Sequence, residues 1–204
     1  MNHRPFYPAA KRAFDATASA AGLVLLSPLL AAAALAVKAS SPGPVLFRQE
    51  RMGRGGIPFR LLKFRTMRVG GAGPEVTVAG DRRVTGVGRF LRRYKVDELP
   101  QLINVVRGDM SLVGPRPEVR RYVERFPEDY RRILALRPGI TDLAAIEFRD
   151  EESILAGATN PEHAYVASVL PAKIKLYDEY IRRMSFATDL SILGRTLLAI
   201  LRGP

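Results

Sequence analysis

An α+β fold, mostly helical, is what this sequence predicts, on three observations. An uncharged run from Ala16 to Val37 is interrupted at its centre by Ser27-Pro28. A glycine turn at Gly53, Gly55 and Gly56 lies between two strand-like stretches. Helical apolar spacing, punctuated by Pro and Gly, fills most of the chain from Arg82 to Leu201. The expected parts are an N-terminal re-entrant membrane helix-break-helix, a small β-hairpin or sheet, and amphipathic interfacial helices. They divide into a basic flank with the membrane hairpin (1–39) and one folded domain (40–204).

Composition narrows the classes. With 204 residues the chain can bury one core and still carry an anchor. Its 47% hydrophobic and 25% charged residues are ordinary for a folded protein. A formal net charge of +12, from 32 Lys and Arg against 20 Asp and Glu, suits an anionic partner: acidic lipid, a phosphorylated small molecule or nucleic acid. There is no cysteine, hence no disulfide frame and no thiolate metal site. His3 and His163 are the only histidines, which argues against a histidine zinc site and a Ser-His-Asp triad.

The uncharged run is 22 residues long, between Asp15 and Lys38. A straight helix of that length just spans roughly 30 Å of hydrocarbon. Proline removes a helix hydrogen bond and clashes with the preceding turn, so a bend is expected at Ser27-Pro28. Each half is then about eleven residues, or roughly 16 Å. Lys11 and Arg12 precede the run and Lys38 follows it, and positive flanks favour the cytoplasmic side. Two ends on one side make a re-entrant hairpin. A single span with a proline kink is the rival reading. A secretory signal is a third, opposed by the basic flank at Lys38 and the lack of cysteine.

Residues 40–47 read as a turn and a short strand, and Ile57 to Phe64 as the return strand of a hairpin. Arg60, Lys63, Arg65 and Arg68 alternate there with Phe59, Leu61, Leu62 and Phe64. Val69 to Gly80 is a Gly-rich loop without the GxxxxGK[ST] or GxGxxG spacing of nucleotide-binding loops. Arg82 to Tyr94 turns through Gly86 and Gly88 into a basic helix. Asp97-Glu98-Leu99-Pro100 ends or kinks it, and Gln101 to Val106 is an apolar-rich helix. A second acidic site follows at Asp109, then a stiff Gly-Pro-Arg-Pro turn at Gly114 to Pro117. Glu118 to Leu136 reads as one amphipathic helix with Val119, Tyr122, Val123, Phe126 and Tyr130 on one side, suited to a membrane interface or to a core. Leu170-Pro171 opens a helix through Arg183. Thr188 or Asp189 caps a last apolar helix, Leu190 to Leu201, too short to span and expected on the membrane face.

Asp97 and Glu98 stand out because cations crowd them: Arg83, Arg89, Arg92, Arg93 and Lys95 before, Arg116 after. Neighbouring carboxylates on a helix point about 100° apart, so a surface cap with salt bridges and a catalytic pair are both compatible with the spacing alone. Further motifs lie in register with this one: KFRTM (Lys63–Met67), DELPQLINV (Asp97–Val105), GDMSLVGPRP (Gly108–Pro117) and RPGIT (Arg137–Thr141). With KRAFD (Lys11–Asp15), Ser27-Pro28 and SPGPVLFRQERMGRGG (Ser41–Gly56), they resemble the bacterial sugar transferases known as monotopic phosphoglycosyl transferases, over nearly the whole chain.

The resemblance implies an activity and a place. A UDP-sugar gives its sugar-1-phosphate to undecaprenyl phosphate, releasing UMP and starting a bacterial surface glycan or glycoprotein. The protein would sit monotopically on the cytoplasmic face of the inner membrane, contacting lipid, with a homodimer compatible with the family and no nucleic acid partner expected. By motif match Asp97 is the nucleophile of an aspartyl phospho-sugar intermediate, and Glu98 helps to hold Mg²⁺, with Asp97, or assists proton transfer. Arg92, Arg116 and Lys63 fall on phosphate-binding cations, with Pro115 and Pro117 stiffening the turn around Arg116. The residue types suit this chemistry. A carboxylate attacking a diphosphate yields an acyl phosphate that keeps its transfer potential, and covalent catalysis lets one pocket serve a soluble donor and a lipid acceptor in turn. Mg²⁺ and arginine would neutralise charge on departing UMP. The chain departs from the common pattern after RPGIT, where Asp142-Leu143-Ala144-Ala145 and FRDEE (Phe148–Glu152) follow, and at Tyr177 and Asp178, where some relatives have an acidic site residue. A non-enzymatic basic module docking on anionic lipid or nucleic acid accounts for the charge but not for the uncharged run beside Asp-Glu-Leu-Pro.

Overall fold

The computed structural model describes residues 7–70 and 77–202. His3 and the centre of the Gly-rich loop lie outside the described residues. The uncharged run folds as two helices, α1 (Tyr7–Leu25) and α2 (Ser27–Ser40), bent by 65°. Pro28 sits in the first turn of α2, where no intrahelical N–H is needed. Ser27 Oγ bonds back to the Val24 carbonyl at 2.8 Å. Among the described residues no single helix is long and apolar enough to cross a membrane; only this bent pair meets that test jointly. Val24, Leu25, Leu29 and Leu35 are exposed near and beyond the bend.

The halves are longer than the sequence predicted, because α1 begins at Tyr7 and uses its charged N-terminal part for packing. Arg12 Nη1 and Nη2 donate to the Val105 and Val106 carbonyls at 2.6 and 2.9 Å, covering the end of α4 (Gln101–Arg107). Asp15 is buried and accepts from Ser111 Oγ at 2.6 Å. Lys11 Nζ reaches Asp189 Oδ2 at 2.7 Å, and the Tyr7 and Tyr180 hydroxyls donate to the same carboxylate at 2.8 Å each. A buried carboxylate is tolerable only with such partners.

The hairpin is present as β1 (Leu46–Met52) and β2 (Pro58–Phe64), antiparallel, with Leu46 opposite Phe64 and Met52 opposite Pro58. Gly55 and Gly56, both at positive φ, make the turn. Next comes α3 (Gly86–Arg93), N-capped by Thr85, whose hydroxyl accepts from Gly88 N. Leu91 of α3 and Phe64 of β2 pack with Ala33 and Val37, so α2 lies against the hairpin. After α4, β3 (Ser111–Val113) pairs in parallel with β4 (Gly139–Thr141).

The predicted single helix from Glu118 to Leu136 is instead two short ones, α5 (Arg120–Val123) and α6 (Pro127–Ile133). Pro127 cannot continue a helix from Phe126 but can open one. Tyr122, Val123, Tyr130 and Ile133 are buried in the largest core cluster, so this segment packs inward and not at an interface. Then α7 (Leu143–Glu147), α8 (Glu151–Ala156) and α9 (Pro161–Ala164) lead through a π-turn (Tyr165–Val169) into α10 (Leu170–Arg183), whose Leu170, Ile174 and Tyr177 enter that core. The last helix, α11 (Phe186–Leu201), is capped by Ser185, which accepts from Thr188 N at 3.1 Å. Neither Thr188 nor Asp189 is its cap, because Asp189 is turned inward to Lys11 and the two tyrosines. Leu190, Leu197, Leu198 and Leu201 of α11 are exposed.

One close crossing fixes the Gly114–Pro117 turn. Gly139 N donates to the Pro115 carbonyl at 2.9 Å and Gly114 N to the Thr141 carbonyl at 3.1 Å. A Cβ on Gly139 would lie 2.2 Å from Gly114 N, a backbone atom that cannot swing away. Gly139→Ala is therefore expected to cost about 1–3 kcal/mol by overpacking, read as a lowered denaturation midpoint of the full chain in detergent.

Candidate active site

Three separate parts of the chain converge on Glu98. Between α3 and α4, Lys95 takes the left-handed region at φ 56°, the one described non-glycine residue to do so. This reversal starts a 3-10 turn, Val96–Glu98, on which consecutive side chains diverge by about 120°. Glu98 is thus directed one way and Asp97 another. Lys63 Nζ, from β2, donates to Glu98 Oε1 at 2.9 Å. Arg116 grips the same carboxylate from the Gly114–Pro117 turn, with Nη1 on Oε2 at 3.2 Å and Nη2 on Oε1.

Asn104 of α4 sets the distance between two of these parts. It is fully buried, its Oδ1 accepts the Leu62 N–H at 3.1 Å, and its Nδ2 donates to the Arg60 carbonyl at 2.9 Å. The helix that follows Glu98 is thereby bonded to the strand that carries Lys63. Asp109, predicted as a second acidic site, accepts from Asn104 Nδ2 at 3.2 Å and does not line the cavity described below. Its role is structural.

Burial would raise the pKa of Glu98, but the charges of Arg116 and Lys63 outweigh it and hold the group well below the usual carboxylate range. Arg116 is raised in turn, chiefly by Glu98. Lys63 is lowered by burial despite Glu98 beside it. Asp97 differs from its neighbour: burial, then the Glu98 charge, push its pKa up, and Lys63, Lys95 and Arg92 oppose this. Asp97 is 6% exposed and its Oδ1 has no hydrogen-bond partner. The site therefore holds one ion-paired carboxylate and one of raised proton affinity whose buried Oδ1 has no hydrogen-bond partner.

Both line an open cavity of about 2010 Å³. Arg92 lines it too, at another wall, with Nε on Thr66 Oγ1 at 2.9 Å and Nη1 on Glu152 Oε1 at 2.7 Å. Arg92 shares this cavity with Asp97 and Glu98 and acts on Asp97 through space, without contact. Arg89, Arg93 and Lys95 add positive charge to the lining. Arg83, further back, is bonded to Asp81.

Several site residues lacked a legible signal. Glu118 accepts from Tyr165 OH at 2.5 Å and from Arg51 Nη1 at 3.1 Å. Lys173 of α10 is buried and paired with Glu151 of the FRDEE segment. Asp142 and Tyr177, at the departures from the common pattern, are each 1% exposed, and Asp142 Oδ2 and the Tyr177 hydroxyl are without hydrogen-bond partners. Tyr177 lines the cavity, whereas Asp178 pairs with Arg132 at 3.1 Å on the outside.

Among the described residues no cluster of three or more His, Cys, Asp or Glu could enclose a metal ion. Mg²⁺, however, is commonly held by one or two carboxylates together with substrate phosphates and water. The unpartnered Asp97 Oδ1, next to Glu98, is compatible with that mode.

The chain matches the family model for bacterial sugar transferases over residues 6–203. It is 46% identical over 197 residues to the UDP-glucose:undecaprenyl-phosphate glucose-1-phosphate transferase of Caulobacter vibrioides, covering 94% of this chain and 69% of the relative. It is 38% identical over 208 residues to a UDP-N-acetylgalactosamine-undecaprenyl-phosphate N-acetylgalactosaminephosphotransferase of Aeromonas hydrophila, covering 98% of this chain and 45% of the relative. It is 34% identical over 214 residues to the exopolysaccharide production protein ExoY of Rhizobium meliloti, covering 97% and 88%.

Asp142 yields a prediction that does not depend on activity. Its pKa is raised to about 6 by burial, against a backbone hydrogen bond from Ala145. The fold thus binds this proton more tightly than the unfolded chain does, so stability is lost as pH rises from about 4 through about 6, by up to about 3 kcal/mol. Asn keeps an acceptor for the Ala145 N–H. Asp142→Asn is expected to be more stable than the parent at pH 7.5 and equal to it near pH 4, read by urea melts at both values. On the family-model match over residues 6–203 and these relatives, this protein belongs to the bacterial sugar transferase family.

Proposed function

We propose that this chain transfers sugar-1-phosphate from a UDP-sugar to undecaprenyl phosphate through a covalent intermediate on Asp97. A carboxylate oxygen of Asp97 attacks the β-phosphorus of the donor. The bond from that phosphorus to the bridging oxygen breaks, and UMP leaves with the oxygen and its electron pair. An oxygen of the lipid phosphate then attacks the same phosphorus and frees the Asp97 carboxylate, leaving a polyprenyl diphospho-sugar. No water or external proton source enters the balance.

The observation that carries this reading is the split between the two carboxylates. Glu98 is neutralised by Lys63 and Arg116. Asp97 is buried, raised in pKa, and has a free oxygen facing no partner. Desolvation strengthens a carboxylate as a nucleophile, and nearby cations keep its ionised form accessible. Arg116, held by Pro115 and Pro117, and Lys63 would exchange part of their hold on Glu98 for the diphosphate, and a donor phosphate would compete with Glu152 for Arg92. Asp97 and Glu98 would hold Mg²⁺ with the diphosphate oxygens, and the ion would supply charge neutralisation on the departing UMP. The relatives' names pair undecaprenyl phosphate with glucose in one case and N-acetylgalactosamine in another, which supports the acceptor and leaves the hexose to assay.

The bent pair α1–α2, with its exposed Val24, Leu25, Leu29 and Leu35, supports a re-entrant seat in one leaflet of the bacterial inner membrane. Residues 40–204 would then rest on the cytoplasmic surface. The deciding assay is UMP release from UDP-glucose or UDP-N-acetylgalactosamine with undecaprenyl phosphate and Mg²⁺. Asp97→Asn is expected to lower the rate at least about a thousandfold while the circular dichroism spectrum stays unchanged. Turnover within tenfold of the parent would refute the role given to Asp97.

A further inference from the structure

The cavity has a second, apolar end. Leu193, Thr196, Leu197 and Ile200 of α11 line it. Their spacing of three, four and seven residues puts them on one stripe of the helix. The stripe is only partly covered by protein: Leu193, Thr196 and Ile200 are half-buried, and Leu197 is 61% exposed although it lines the cavity. Leu198, the next residue, is 53% exposed but points about 100° away and does not line the cavity.

The stripe is joined to the phosphate grip by a short physical path. Thr196 Oγ1 is 2.7 Å from Thr141 Oγ1 of β4, and the adjacent Ile140 carbonyl lies 3.5 Å from Arg116 Nη1. Ile140 lines the cavity as well. One wall therefore runs from the guanidinium that holds Glu98 to a row of leucine and isoleucine that opens to the outside. A ligand fitting both ends has an anionic head and a long apolar tail. A nucleotide-sugar has no apolar part to match the outer end, and burying apolar tail against such side chains is favourable.

We propose that this stripe of α11 is the track for the polyprenyl chain of the acceptor, which leads its phosphate to Arg116 and Asp97. The inference rests on the reaction proposed above and adds a binding subsite for its lipid. The occupant is a substrate tail, and the role of Leu197 differs from that of an apolar side chain dipping into bulk lipid.

The two roles separate in a matched pair of variants. Leu197→Gln and Leu198→Gln remove equal apolar surface from neighbouring exposed positions, and glutamine keeps helix propensity. In the full chain in lipid nanodiscs, Leu197→Gln is expected to raise KM for undecaprenyl phosphate about fivefold to tenfold, with KM for the UDP-sugar unchanged. Leu198→Gln is expected to leave both constants within twofold. Equal effects from the two variants, or no effect from Leu197→Gln, would overturn the track while the parent still turns over. If the parent released no UMP with any UDP-sugar, the reaction and the track would fall together, a result distinct from either.

Discussion

Glu98 sits where two cations from distant parts of the chain meet, and that ion cluster organises the site. Lys63 comes from the hairpin and Arg116 from the turn between β3 and α5. Taking a carboxylate out of water is costly unless charge and hydrogen bonds replace the solvent. Both oxygens of Glu98 are satisfied by the two donors. The consequence falls on Asp97. With the nearest cations committed to its neighbour, Asp97 has burial and a nearby negative charge to raise its proton affinity. Two adjacent residues of similar chemistry thus acquire different tasks from their surroundings.

The rest of the fold serves this cluster. Asn104 bonds α4 to β2, and the Gly114–Gly139 crossing holds the Arg116 turn against β4. The KRAFD segment does more than flank an apolar run. Lys11 and Asp15 anchor α1 to Asp189 and Ser111, and Arg12 covers the end of α4. The bent helix pair is thereby bonded through α1 to α4, β3 and α11.

Much of this was legible in the chain and some was not, for physical reasons. The hairpin showed because glycine at positive φ leaves a sharp mark between two strand-like stretches. The break at Ser27-Pro28 showed because proline has only a few places in a helix. Asp97, Glu98, Lys63 and Arg116 stood out through motif resemblance, since spacing alone permitted a salt-bridged surface cap. What periodicity could not decide was direction. The apolar side of residues 118–136 suited lipid or core equally, and tertiary packing chose the core. Asp189 resembled a helix cap in sequence, yet a lysine and a tyrosine almost two hundred residues away draw it inward. Asp142 and Tyr177 carry no local signal, because their importance lies in burial near Arg116, which only the folded chain creates.

In the reaction proposed above, the Asp97 carboxylate becomes bonded to phosphorus during turnover. Incubating the chain with its UDP-sugar and Mg²⁺ without polyprenol phosphate, followed by acid quench, digestion and peptide mass mapping, tests this directly. A peptide containing Asp97 that has gained one phospho-hexose is the predicted result. The same added mass on a different residue, or no adduct in a preparation that releases UMP once the lipid is supplied, would contradict it.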